Sequence, residues 1–325
     1  MLASRRRAMG GRKMLQRRSL AGLMAAAPLL LSGAGRAQGR TRINLGYTAT
    51  ADFLAAFVAK DQGFFEKRGL DVTLTLVALN STIPAAMLGG SLQIGGPTPS
   101  VLLQAVDGGL DLVVVAGSGA TNPRVTDGGL LLRMGLEMAQ PQDLVGKKIG
   151  VPGLGAFLHV LARQWLIEKG VDWKRVAFVE VPFAQMSDML RAGTVDGVIT
   201  SGQSMARIVQ ARTGHVASRF LAELPPGIPS TLYAATRQWA TANAGAAKAF
   251  QEAITEAAAF AEAQPEKARE SVGRHIRMPA EVLKALVLPA QSPVITDRQL
   301  QYWVDVMAGQ EMLRTKPDVA RLILR

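Results

Sequence analysis

The sequence predicts an α/β protein of two similar lobes followed by a helical tail, and three observations carry that prediction. First, Lys147 to Val171 reads KKIGVPGLGAFLHVLARQWLIEKGV. A short apolar strand with Ile149 and Val151 ends in the turn Gly150-Val151-Pro152-Gly153-Leu154-Gly155. A helix then shows Leu158, Leu161, Ala162, Trp165 and Leu166 at helical spacing, closed by Lys169 and Gly170. Second, Ile43 to Asp71 repeats the plan near the start: short strand, small polar turn, helix, closing glycine. Third, Met87 to Ile94 matches Leu190 to Gly197 at an offset of 103 residues. Each is a helix end, a glycine, a short strand and a polar turn, so two like α/β units face each other in one chain.

The elements follow in order. Ile43 to Tyr47 is the first strand, and Asp52, an N-cap candidate, opens a helix running to Lys67. Val72 to Ala78 alternates and is rich in Val, Leu and Thr, as strands are. Pro84 suits the first position of the next helix. Leu92 to Gly95 is a strand, Gly96 to Ser100 a rigid polar turn, Val101 to Val106 a helix, and Leu112 to Ala116 a buried strand. Leu130 to Arg133 is extended and crosses to the second unit. There Val176 to Val181 and Val195 to Ile199 are strands, while Phe183 to Arg191 and Met205 to Arg212 are helices. After the punctuation of Pro225 to Pro229, Ser230 to Thr236 runs extended and returns to the first unit. Helices then dominate: Ala242 to Ala263, Pro265 to His275, Pro279 to Val287 and Thr296 to Met307. The stripe Leu300, Trp303, Val304, Met307 marks packing. This tail is expected to cover the first lobe and contribute little to chemistry.

Residues 1–37 read as an export signal. A basic region runs from Arg5 to Arg18, a modest apolar segment from Leu20 to Leu31 is broken by Pro28, and small residues flank Arg36. The apolar segment is too short for a membrane span. Gln16 to Leu20 resembles a twin-arginine signal; Ala21 and Gly22 depart from it, and a general secretory route stays open. The segment holds eight Lys or Arg and no acid, so without it the net charge falls from +12 to +4. The basic balance is thus an export feature, and no interleaved aromatic and basic stripe points to nucleic acid. The chain has no cysteine, which excludes disulfides, thiolate metal sites and a lipid-modified cysteine. A free, monomeric, exported protein is expected.

Catalytic patterns are missing. His159, His215 and His275 stand apart and outside any HExxH, so no metal site is expected. No G-x-S-x-G elbow and no phosphate loop of the G-x-x-x-x-G-K-[ST] type occurs. Gly150, Gly153 and Gly155, with Glu180 downstream, resemble a dinucleotide fingerprint only in the wrong order. No cofactor and no catalytic residue is expected. What the turns do offer is backbone N–H groups and positive helix ends aimed at one place, which suits a polar or anionic ligand.

Several phrases resemble a known family: Gly63-Phe64-Phe65-Glu66-Lys67-Arg68-Gly69-Leu70-Asp71-Val72, Gly89-Gly90-Ser91-Leu92, Gly146-Lys147-Lys148-Ile149-Gly150-Val151-Pro152, and Arg191-Ala192-Gly193-Thr194-Val195-Asp196. They resemble the substrate-binding proteins of ABC importers, in the nitrate/sulfonate/taurine group. The resemblance implies the periplasmic-binding-protein type II fold: two α/β lobes joined by a two-strand hinge, with a helical C-terminal tail. It places lobe one at 41–130 and 231–325, and lobe two at 131–230. It implies a periplasmic protein that performs no covalent chemistry, encloses a small organic, anionic ligand between the lobes, and hands it to an ABC permease. Ligand contacts are then expected from the strand-end turns: Tyr47, Thr48 and Asp52; Asn80 and Ser81; Thr98 and Ser100; Ser118; Gly153, Leu154, Gly155, Ala156 and Phe157; Ser201 and Gln203. Leu154, Ala156 and Phe157 stand where members holding a small oxyanion carry Ser or Thr, which favours a ligand with an apolar part. Arg124 is a candidate to neutralise an acid group. Two alternatives stay open: a thiamine-pyrimidine-precursor synthase of the same superfamily, whose cysteine-rich motif this chain lacks, and a ligand sensor serving a signalling system.

Overall fold

The computed structural model describes residues 39–122, 124 and 128–325; the export signal expected at 1–37 lies outside the described residues. Two five-stranded sheets carry the described chain. The first runs β2 (Leu70–Leu76), β1 (Thr41–Tyr47), β3 (Ile94–Gly95), β11 (Leu232–Thr236), β4 (Leu112–Gly117). The second runs β8 (Ala177–Glu180), β7 (Lys148–Val151), β9 (Gly197–Ser201), β6 (Gly128–Arg133), β10 (Gly214–Ser218).

The two orders match position for position. β1 pairs in parallel with β2 and β3, as β7 does with β8 and β9. β11 lies antiparallel to β3 and β4, and β6 lies antiparallel to β9 and β10. Each sheet therefore receives one antiparallel strand from the chain as it arrives from the other sheet. A small third ladder joins β5 (Gly119–Ala120) to β12 (Ala290–Gln291). β5, β10 and β12 carry no sequence signal, because two-residue pairings and the weakly apolar Gly214–Ser218 show no alternation.

Helices follow the parallel strands: α1 (Leu54–Asp61), α2 (Ile83–Leu88) and α3 (Pro99–Asp107) in the first half, α4 (Phe157–Glu168), α5 (Met186–Arg191) and α6 (Gly202–Gln210) in the second. Thr98 caps α3, its hydroxyl accepting from the Val101 N–H, and Pro99 fills the first helical position, where its missing donor is harmless. The first helix stops earlier than the expected Lys67. It ends at Asp61 because Gly63 takes the left-handed conformation (φ 73), and a 3-10 turn over Glu66–Arg68 then leads through Gly69 (φ 73) into β2. β2 consequently spans Leu70–Leu76 and not the expected Val72 to Ala78.

The tail comprises α7 (Arg237–Ala242), α8 (Ala244–Ala263), α9 (Pro265–His275), α10 (Ala280–Ala285) and α11 (Asp297–Gly309). Ala253, Ala257 and Ala261 are buried along α8, and their small side chains let it lie close against the α1 layer, where Phe65 stacks on Phe250 at 5.4 Å. α8 and α9 thus cover the first sheet, as expected. α11 does not stay there. The fully buried Trp303 belongs to a cluster that joins Leu102 of α3 to Leu158 and Trp165 of α4. At its C-terminal end Gln310 donates to the Val160 carbonyl (3.0 Å) and accepts from Arg163 (3.0 Å). The tail is a strut between the halves, and three of its residues also reach the site described next.

Candidate ligand-binding site

A cavity of about 150 Å³ lies where the C-terminal ends of the parallel strands of both sheets meet. A single water needs about 10–15 Å³ of such space, so there is room for a ligand of about ten non-hydrogen atoms. Thr48 follows β1, Asn80 follows β2, and Thr98 follows β3; Pro152 follows β7, Phe183 follows β8, and Ser201 ends β9. Strand ends are where an open α/β sheet leaves a crevice, since the connecting chains part there to opposite faces. Ala156, Phe157 and Leu158 add the first turn of α4, and Leu221 and Leu224 an apolar flank. Leu286, Val287 and Pro289, just after α10, close another side. The expectation that the tail takes little part in the site is therefore corrected.

Of the residues expected to contact ligand, Thr48, Asp52, Asn80, Thr98, Ala156, Phe157, Ser201 and Gln203 line this cavity. Several are already engaged. Asn80 donates to the Gly96 carbonyl (3.0 Å) and accepts from the Thr98 N–H (2.9 Å), so it ties the β2 turn to the β3 turn. Gln203 donates to the Ala49 carbonyl across the two sheets. The hydroxyls of Thr48 and Ser201 make no hydrogen bond among the described residues; Ser201 is the N-cap of α6 yet leaves the capping bond unmade. Asp52 sits in the turn before α1. Its carboxylate accepts from Ser230 (2.6 Å) and from Thr50, both hydroxyls.

The other expected contacts lie outside the cavity wall. Tyr47 is buried and donates to the His275 carbonyl (3.1 Å), away from the cleft. Ser100 is fully buried against the Thr98 hydroxyl (3.1 Å). Ser118 donates to the Asp52 carbonyl (2.8 Å) and so braces the turn behind that carboxylate. Ser81 donates to Glu180 (2.6 Å), and the same Glu180 oxygen accepts from the Leu154 N–H (2.8 Å). This is a clasp from the first half to the second. Gly155 serves the same approach: a Cβ there (φ 76) would collide with Gln104 of α3, whereas one on Gly153 would meet Ser81 only at an ordinary contact distance of 3.5 Å. At Leu154 and Gly155 the glycine turn thus brings the two halves together. Arg124 is exposed and is not part of the wall.

No Lys, Arg or His is among the described residues lining the cavity, and Asp52 is the sole acid there. The anionic ligand expected from the turns thus meets no basic side chain in that wall. Among the described residues no group of three or more His, Asp or Glu is placed to hold a metal ion.

Sequence reasoning missed Thr50, Thr121, Phe183, Ser230 and Thr231. One signal was present: the offset of 103 carries Asn80 onto Phe183 and Thr98 onto Ser201. Once the two halves are superposed on that offset, the first half's turn nominates the second half's residue.

A pair of matching sheets closing on a ligand-sized cavity is the architecture of periplasmic binding proteins, and solved structures share it. The Xanthomonas axonopodis pv. citri alkanesulfonate-binding protein SsuA, bound to MOPS, matches with a TM-score of 0.72 at 17% identity, covering 88% of this chain and 98% of that one. The periplasmic nitrate-binding protein NrtA of Synechocystis matches with a TM-score of 0.73 at 18% identity, covering 87% and 86%. The chain belongs to the NMT1/THI5-like family, whose profile matches residues 50–268. Among curated relatives, the nitrate import ATP-binding protein NrtC of Synechocystis is 24% identical over 238 residues, and a Haemophilus influenzae protein described as a thiamine biosynthesis protein is 30% identical over 171. These alignments cover 68% and 53% of this chain but only 35% and 52% of the relatives' own lengths. Among the described residues no helix is long and apolar enough to cross a membrane.

Proposed function

We propose that this chain is a periplasmic solute-binding protein that encloses one small organic ligand between its two sheets and delivers it to an ABC permease. The observation that carries the proposal is the position of the cavity: its wall is drawn from equivalent strand ends of two like sheets, with the clasp Ser81–Glu180–Leu154 holding the halves together beside it. On this reading 41–130 with 231–325 forms one lobe and 131–230 the other, and β6 and β11 are the crossing strands. Opening about those crossings admits the ligand, and closure presents a surface to the permease. The wall offers hydroxyls, amides, apolar faces and one carboxylate, a set suited to holding a molecule unchanged. The thiamine-related relative is the reason to test turnover directly. A monomer exported through the segment at 1–37, with no nucleic-acid partner, completes the proposal.

The experiment is native mass spectrometry and calorimetry on the purified chain. One ligand per chain, recovered chemically intact, with a raised Tm in its presence, is the expected result. Conversion of the recovered ligand to a product, or a chain that takes up no small molecule, would overturn the proposal.

A further inference from the structure

The carboxylate in the cavity carries an inference about the ligand itself, and it rests on the reading of this cavity as the capture site. Asp52 stands beside the N-terminus of α1, where an acid is normally explained as a helix cap. Its oxygens do not do that job. The Thr50 hydroxyl caps the 3-10 turn Ala51–Phe53 that precedes α1, accepting from the Asp52 N–H (3.1 Å), and α1 itself receives no side-chain cap. The Asp52 oxygens instead accept from Ser230 (2.6 Å) and from Thr50. A carboxylate has roughly four acceptor positions, so two hydroxyls leave about half of them open. No ion pair to Asp52 exists among the described residues.

The surroundings keep room for this group. Gly119 packs against it so closely that a Cβ there would collide with Asp52 Oδ1 and come within 2.8 Å of the Ser230 hydroxyl. Ser118 and Gln291 both donate to the Asp52 carbonyl, at 2.8 and 3.3 Å, which fixes the residue that bears the charge. A braced carboxylate with no cationic neighbour among the described residues, in a cavity whose apolar wall includes Phe157, Phe183 and Leu221, repels an anion and attracts a cation.

We propose that the ligand is a small organic cation, with a protonated amino or amidino group seated on Asp52 and an apolar body against Phe157, Phe183 and Leu221. The N-terminal turns of α4 and α6 supply N–H donors to an acceptor atom elsewhere on the same molecule, and the free hydroxyls of Thr48 and Ser201 complete its polar contacts.

The test sets three molecules of nearly one shape against the purified full chain: benzamidine, benzamide and benzoate, which run from cation through neutral to anion and from hydrogen-bond donor to acceptor. Benzamidine is expected to raise Tm and bind at least about tenfold more tightly than benzoate. Asp52→Asn, which keeps the size and one hydroxyl contact while the other hydroxyl turns to accept from the new amide, is expected to weaken benzamidine about tenfold and benzamide much less. The wild-type ranking needs no variant and stands even if Asp52→Asn folds poorly. Benzoate preferred over benzamidine, or benzamidine held equally by Asp52→Asn, overturns the cation assignment while leaving ligand capture intact. Identifying the molecule released on denaturing the purified chain asks the same question without a chosen probe: a cation supports the assignment, and an anion or neutral molecule overturns it. No released molecule together with no shift from any of the three overturns both this inference and the capture reading.

Discussion

His159 ties the acid stability of this protein to the turn beside its cavity. The side chain lies in α4 at 6% exposure, with its ring edge-on to Phe178 at 4.7 Å. Its Nδ1 accepts from the Gly155 N–H (2.8 Å), which fixes the neutral form, and Nε2 is buried with no partner among the described residues. Burial, with the Arg163 charge one turn along adding to it, pushes the imidazole from 6.5 down to about 3. The unfolded chain therefore takes up a proton below about pH 6.5 that the native protein refuses until about pH 3. Stability is full above pH 6.5 and is lost as the pH falls through that window, at about 1.4 kcal/mol per unit. Between pH 7.5 and pH 5 the loss amounts to roughly 2 kcal/mol, or about 4 °C in Tm. His159→Gln keeps an acceptor for the Gly155 N–H and cannot titrate, so its fall in Tm over the same range should be smaller by that amount. The assay is thermal or urea unfolding of both proteins at matched ionic strength. Equal slopes for the two would refute the reasoning, since the buried imidazole would then not be the group that carries the acid sensitivity.

The other predictions concern the contact between the halves. Glu180→Ala removes the acceptor shared by Ser81 and the Leu154 N–H; a hydrogen bond to a charged group at a partly exposed position contributes about 1.5 kcal/mol. Ligand affinity should fall about tenfold in calorimetry with little change in ligand-free Tm, and an unchanged affinity would remove the clasp from the account. Gly155→Val should lose about 1–2 kcal/mol from its positive φ and should weaken capture further by pressing on Gln104. Gly170→Val is its control, with a similar φ of 70 and open space around the Cβ; equal capture by the two variants would make the Gly155 turn architecture alone. Trp303→Leu empties volume shared by α3, α4 and α11 and frees the Pro229 carbonyl, which the indole N–H reaches at 3.0 Å; it should cost about 3 kcal/mol in urea unfolding.

The repeated plan of strand, glycine turn and helix was legible because it is local. A strand, its turn and its helix lie within one 25-residue window, and apolar spacing, caps and glycines report each directly. The offset of 103 went further and announced two like halves, which the matching strand orders bear out. Distant pairing left no such trace. β5 and β12 meet across more than half the chain through two residues each, and neither has a pattern of its own.

The site divides along the same line. Chain order alone places Thr48, Asn80, Thr98 and Ser201 at strand ends, and strand ends converge in any sheet of this kind. Whether such a residue faces the ligand, its own backbone or the opposite half depends on contacts made by chain far away. Tyr47 turns to His275, Ser81 turns to Glu180, and Gly155 makes room for Gln104. The charge of the cavity was decided there too. Composition gave a basic chain, but tertiary packing keeps lysine, arginine and histidine out of the described wall and leaves Asp52 facing it, because the field at a site follows the few groups within reach and not the sum over the sequence.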